Sequence, residues 1–359
     1  MNKTPLCIAI AMLLPMSAKA EQRHVELDAI TVTAEKREGQ ARDVPAAITV
    51  VSDAQLDDAG ITDTEGFVNE VPNMHMIDAG NHSTAGFFAL RGITPVMEGE
   101  QSVGFFVDGV YHSTFDATLF DVERIEVLKG PQGSLYGRNT LAGVVNVINK
   151  PTTEDWQGEA SLDYGEFNTL SLGGAVSGPL VKDRLLMRLA ARQDVSDGGF
   201  DNAFDGSDTP DERDDLTVRG RLNWLATEHW RAEWVSEFKR GRANNGSFAL
   251  IDNDNGDPHT VNLDYVGFSD LDASANSVHI HYTGDDYTLT AITAYTDEQI
   301  VDSIDLDFTA ADMMRLDTDV DIQRVSQEVR FASPERSDWE WLGVCISFKK
   351  PMRQTSLSI

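Results

Sequence analysis

Through most of the stretch from Gly158 to Trp341, apolar residues recur at every second position. Leu216, Val218, Leu222 and Trp224 fall on one side, with Arg219, Arg221 and Asn223 on the other. Trp230, Ala232, Trp234 and Phe238 repeat this against Arg231, Glu233 and Glu237, and Val278, Ile280 and Tyr282 against His279 and His281. Tyr287, Leu289, Ala291 and Tyr295 continue it, as do Val325, Val329 and Phe331, with weaker cases at 159–164, 169–176 and 184–192. A period of two is that of strands with one apolar and one polar face. About nine such strands are expected, many with an aromatic near an end. A soluble antiparallel sheet with one wet face reads this way, and so does a transmembrane barrel, apolar toward lipid and polar toward its lumen.

The connections favour the barrel. Asp194 to Asp215 holds nine acids and one base, and Asp252 to Asp272 holds six acids and no Lys or Arg. Long polar loops alternating with short turns, such as one at Gly178-Pro179, match the two rims of an outer-membrane barrel. The acids of this half are then mainly loop acids. The whole chain has 59 acids against 29 bases, a net charge of −30, which argues against a nucleic-acid binder. An apolar fraction of 41% excludes wholesale disorder.

At the N-terminus, Lys3, the apolar run Leu6 to Met16 and Ser17-Ala18-Lys19-Ala20 form a secretory signal peptide cut after Ala20. Cys7 leaves with it, so only Cys345 remains, and neither a disulfide scaffold nor a Cys-based metal site is expected. No later segment is long and apolar enough for a membrane-spanning helix, so a membrane form must be a β-barrel.

Residues 21–42 read as a flexible polar arm with one β-prone stretch, DAITVTA. A small α/β domain follows over 43–152. Ala47 to Val51 is strand-like, and Ser52-Asp53 caps a helix ending near Gly60. Thr62 to Val68 reads as a second helix; Phe87 to Leu90, Val103 to Val107, Ile125 to Leu128 and Val144 to Ile148 read as strands. Asp108-Gly109 is a hairpin turn signal, not a catalytic pair. The glycines at 130, 133, 137 and 143 lack the Gly-Lys-Ser/Thr ending of a phosphate loop and read as tight turns. There is no metalloprotease motif, nucleophile elbow or cysteine nucleophile, so no enzyme, catalytic residue, cofactor or metal-ligand set is expected.

These motifs, in this order, resemble the TonB-dependent outer-membrane receptors. DAITVTA, from Asp28 through Ala29, Ile30, Thr31, Val32 and Thr33 to Ala34, looks like the TonB box. VPAAITVVS, FALRGI and VGFFVDGVY look like successive plug motifs, and VERIEVLKGPQGSLYGRNTLAGVVNVINKPT like the plug's exit into the barrel. The resemblance implies an α+β plug followed by antiparallel transmembrane β-barrel strands at 153–342, about nine of an expected 22. It implies a cell outer-membrane receptor of a Gram-negative bacterium that imports a scarce nutrient, usually a ferric siderophore, by plug displacement. Its partners would be a TonB-type periplasmic protein gripping the box by strand addition, the ligand and outer-membrane lipid. Plug apices imply ligand contacts at Asn81, His82, Glu98, Gln101, Tyr111 and His112, and the lumen face adds His279 and His281. DNDNGD at Asp252 to Asp257 misses the EF-hand spacing and reads as solvated loop.

Two other classes remain: a passive porin-like or adhesin barrel, and a soluble plug-like binding module. The last residues, 343–359, carry three bases and no acid and lose the alternation. Under one choice of codons, a two-nucleotide shift turns Val344 onward into VYFFQKTYEADL, an alternating strand. The expectation is a frameshift near Gly343 and a truncated product that remains periplasmic or does not transport alone.

Overall fold

The computed structural model describes residues 31–33, 36–37, 39–77, 87–94, 101–113, 119–247, 257, 259–334, 339–349 and 352–358. Two bodies of secondary structure result. The first begins with β1 (Thr31–Val32) and β2 (Gly39–Gln40), then β3 (Ala47–Ser52), α1 (Asp53–Ala59), α2 (Thr64–Asn69), β4 (Met74–Ile77) and β5 (Phe87–Leu90). It continues with β6 (Val103–Val107), β7 (Val110–His112), β8 (Val122–Lys129), α3 (Gly133–Tyr136) and β9 (Gly143–Asn149). The Ser52 hydroxyl accepts from the Gln55 amide while the Gln55 side chain accepts from the Ser52 amide, and Gly60 closes α1 in the left-handed region. The second helix starts at Thr64, not Thr62, because the Asp63 carboxylate accepts from the Gly66 amide and sets the cap.

A five-stranded mixed sheet, ordered β3-β8-β9-β6-β7, forms the centre. Phe67, Phe88, Val103, Phe105, Ile125, Val127 and Val145 are buried against one side of it. Gly143 allows β9 to lie tight on β8: a Cβ there would meet the Leu128 carbonyl oxygen at 2.2 Å.

The second body is one antiparallel sheet. It comprises β10 (Gln157–Tyr164), β11 (Leu170–Val181), β12 (Leu185–Ser196), β14 (Arg213–Leu225), β15 (Trp230–Asn244), β17 (Phe268–Thr283), β18 (Thr288–Asp305) and β19 (Arg315–Ala332), each hydrogen-bonded to the next. Two-residue strands β13 (Asp201–Asn202) and β16 (Thr260–Val261) pair within the long connections. Connections after β12, β15 and β18 are long and leave from one end, while 182–184, 226–229 and 284–287 close the other.

Three expectations are corrected here. Gly178-Pro179 is not a turn: it lies inside β11 beside a register shift at Pro179/Val181, where a proline lacking N–H is tolerated. The strands are longer than the apolar alternation, reaching 18 residues in β18 and β19. At about 3.3 Å per residue they overshoot a hydrocarbon core of about 30 Å. Many acids therefore sit on strand ends and not in loops, among them Asp270, Asp272, Asp302, Asp317 and Asp319. The tail also pairs: β20 (Leu342–Phe348) and β21 (Met352–Ser358) both lie antiparallel to β19, in registers that differ by one residue, and 342–348 alternates in exposure.

The sheet is inverted relative to a soluble one. Leu172, Leu189, Trp234, Phe238, Val278, Tyr295, Val325 and Phe331 are exposed, whereas Arg188, Arg192, Arg219, Arg221, Lys239, Glu298 and Glu328 are buried. Burying arginine while exposing tryptophan is unfavourable in water and correct in lipid. On the outer face near the short-turn end, Trp230, Tyr282, Tyr287 and Phe331 form a chain of rings 4.8, 5.2 and 5.8 Å apart. That is an interfacial aromatic belt. No described helix is long and apolar enough to cross a membrane.

Candidate functional site at the junction of arm, domain and sheet

The inner face of the sheet is charged because the N-terminal domain supplies the countercharges. Arg221 reaches Asp108 at 2.6 Å and Glu233 at 3.2 Å. Asp108 sits at φ 49° beside Gly109 at φ 81°, the two-residue turn expected between β6 and β7. The turn also aims the Asp108 carboxylate at the sheet, and Asn149 donates to it from its amide and side chain. Burial opposes that charge, but Arg221 and the Asn149 hydrogen bonds hold the carboxyl below its usual range. Arg188, across from Arg221 in register, is neutralised by Asp121. Arg219 donates to the Phe120 carbonyl and pairs with Glu237. Ser113 bonds Glu298 and accepts from Arg324 at 2.9 Å. Removing one partner of such a buried pair costs about 3–5 kcal/mol.

The described residues of the arm are held against the domain and the sheet. Val32 is fully buried with Phe106, Leu128, Tyr136 and Val144. The Thr33 amide donates to Glu126 at 2.9 Å, and the Thr33 hydroxyl adds a contact at 3.2 Å. Glu126 is 0% exposed and also accepts from Arg124 at 2.9 Å. Three residues on, Lys36 pairs with Glu328 of β19 at 3.0 Å and lies 4.1 Å from the Tyr136 ring centroid. Burial, reinforced by Arg330, lowers the Lys36 pKa to about 8 despite Glu328. Burial and then Glu126 push the Tyr136 phenol up. One short segment thus contacts the domain core and the sheet together.

Lower on the same inner face, Glu233 and His279 stand opposite each other in the β15–β17 register, with His281 two residues on. His279 is only 5% exposed, so it is not the wet residue that two His on a polar strand face suggest. Glu233 had no motif around it; its place beside both rings follows from the register alone.

Residues 40–144 match the model of the family described as the TonB-dependent receptor plug domain. The chain carries the plug of a TonB-dependent receptor. The pesticin receptor of Yersinia pestis is 29% identical over 212 residues, 57% of this chain and 31% of that receptor. The vitamin B12 transporter BtuB of Vibrio vulnificus is 26% identical over 243 residues, 65% of this chain and 39% of the transporter. The crystal structure of the ferric yersiniabactin uptake receptor FyuA from Yersinia pestis superposes with a TM-score of 0.74 at 21% identity, covering 81% of this chain and 46% of FyuA. The chain spans about a third of the length of these curated relatives. They are receptors and transporters, not enzymes.

The sheet after the plug shares the β-barrel fold of FyuA, with its apolar side chains outward and its inner charges paired with the plug. Of the box, only Thr31 to Thr33 lie among the described residues; Asp28 to Ile30 and Ala34 lie outside them, as do the signal peptide, Asn81, His82, Glu98 and most of Asp252 to Asp257. Gln101 is half-buried, and its side-chain oxygen finds no hydrogen-bond partner among the described residues. The Tyr111 phenol accepts from Asn139 at 2.7 Å, and its ring meets Phe106 edge-on. His112 faces Glu237 and Glu298 of the barrel, and burial first of all lowers its pKa. What sequence reading missed is the clamp: nothing around Glu126, Lys36 or Asp108 signals their contacts with Thr33, Glu328 and Arg221, each at least 90 residues away.

Proposed function

We propose that this chain is the gated part of an outer-membrane receptor that imports a scarce nutrient, most simply an iron chelate. The single observation behind this is the clamp on the arm. Thr33 hangs on Glu126 in the middle of β8, so tension on the preceding residues Asp28 to Thr33 is delivered to the core of the plug. A TonB-type periplasmic protein that adds the box to its own sheet supplies that tension. The ligand would be met at the plug residues Asn81, His82, Glu98, Gln101, Tyr111 and His112. The name of FyuA supports an iron chelate and that of BtuB a cobalamin, and the acidic strand ends give no reason to prefer a negatively charged ligand.

The test is uptake by cells carrying the protein. Deleting Ile30 to Thr33 should abolish energised import of a labelled ferric siderophore while leaving its surface binding in place. Unchanged import would instead identify a passive barrel, and absence from the outer-membrane fraction a soluble module. Import of labelled cobalamin with no import of any iron chelate would overturn the substrate assignment.

A further inference from the structure

We propose that Glu233, His279 and His281 form a binding site for one divalent ion of the zinc type on the inner wall of the barrel. One ligand atom from each of the three residues comes within 4.8 Å of the others. Ligands of a four-coordinate zinc at about 2.0–2.1 Å stand roughly 3.3 Å apart, so modest side-chain rotation closes the set. The register makes the set rigid: Glu233 and His279 are direct cross-strand neighbours, and His281 shares their face.

The outer hydrogen bonds are those a ligating imidazole uses. His279 Nε2 lies 2.9 Å from the Ser277 hydroxyl, which leaves Nδ1 for the ion. His281 Nδ1 lies 3.2 Å from the Thr290 hydroxyl, which leaves Nε2. Fixing one ring nitrogen by a neighbour orients the other toward a metal. The rings are 6.3 Å apart and tilted by 33°, too far apart to stack and spaced to share an ion. Glu233 lends Oε1 to Arg221, and its other oxygen is the third ligand. Arg221 keeps Asp108 as its countercharge at 2.6 Å, so the ion does not strand a buried guanidinium. Two imidazoles and one carboxylate with a fourth position for water suit zinc over calcium or magnesium, which take oxygen. The ion would tie β15 to β17 where the plug's Asp108 turn rests.

The experiment uses the full chain folded in outer membranes or detergent and stripped by a chelator. Zn²⁺ added alone should bind at one ion per chain. His279→Ala combined with His281→Ala should weaken it at least about tenfold, and His229→Ala at an exposed turn should not change it. Co²⁺ in the unmodified chain should give the intense visible bands of a four-coordinate N₂O₂ site, a readout that holds even where the double variant fails to fold. No retained zinc, equal affinity in the double variant, loss in His229→Ala, or the faint spectrum of six-coordinate Co²⁺ would each overturn the assignment.

Discussion

Replacing Glu126 by glutamine isolates the clamp on the arm. The side chain keeps its size and one carbonyl oxygen, so Thr33 retains an acceptor, but the charge is gone. A hydrogen bond to an ionised group contributes about 1.5–3 kcal/mol and a neutral one about 0.5–1.5 kcal/mol. The Thr33 amide bond at 2.9 Å therefore loses about 1–1.5 kcal/mol, close to tenfold in the opening equilibrium of the arm. Arg124 limits the collateral damage, because Glu123 pairs with it at 2.8 Å. Amide hydrogen exchange at Thr31 to Thr33 should accelerate about tenfold, while Val145 and Val147 in the core of the same sheet should keep their protection. Equal exchange at Thr33 in both proteins would refute the clamp. Faster exchange across the whole sheet would show that Glu126 serves the domain and not the arm.

Trp234→Arg, on the exposed face of β15, should destabilise the sheet in lipid by about 2–4 kcal/mol if it lies near the bilayer midplane, read as a lower unfolding midpoint in liposomes. Lys36 sets a pH dependence. Its pKa falls from 10.5 when free to about 8 when docked, so docking releases a proton between those values, and the docked arm gains stability as pH rises through that window. The full span of about 2.5 units at 1.36 kcal/mol each is on the order of 3 kcal/mol. With Cys345→Ser removing the exposed native thiol, a fluorophore on Gly39→Cys should report a more closed arm at pH 10 than at pH 7, and the slope should vanish in Lys36→Met.

The parts of this protein most legible in its sequence are those whose cause is local. The Ser52 cap, the Gly60 stop and the Asp108-Gly109 turn are set by neighbours within a few residues, and the outward faces of β14, β15 and β17 follow from strict alternation. The strand ends were illegible because their acids, such as Asp317 and Asp319, interrupt the apolar period while the backbone ladder runs on. The Gly178-Pro179 pair has the composition of a turn, yet the strand carries it past a bulge to the turn at 182–184. Of the junction, the box and two histidines were visible as residue types. Thr33 to Glu126 and Lys36 to Glu328 were not, because only folding brings residues so distant in sequence together.

The spacing of the plug's anchors along the sheet has a mechanical consequence. Lys36 is tied to β19, Ser113 to Arg324 on β19 and Glu298 on β18, Asp108 to Arg221 on β14, and Asp121 to Arg188 on β12. A load entering at the arm meets the β19 tie first and the others only as the domain tilts. Ties that fail in sequence require a smaller peak force than ties that must fail together. The plug is thus fastened against random thermal release by all of its anchors at once, whereas a pull on the arm would load them one after another, like a seam peeled from one end.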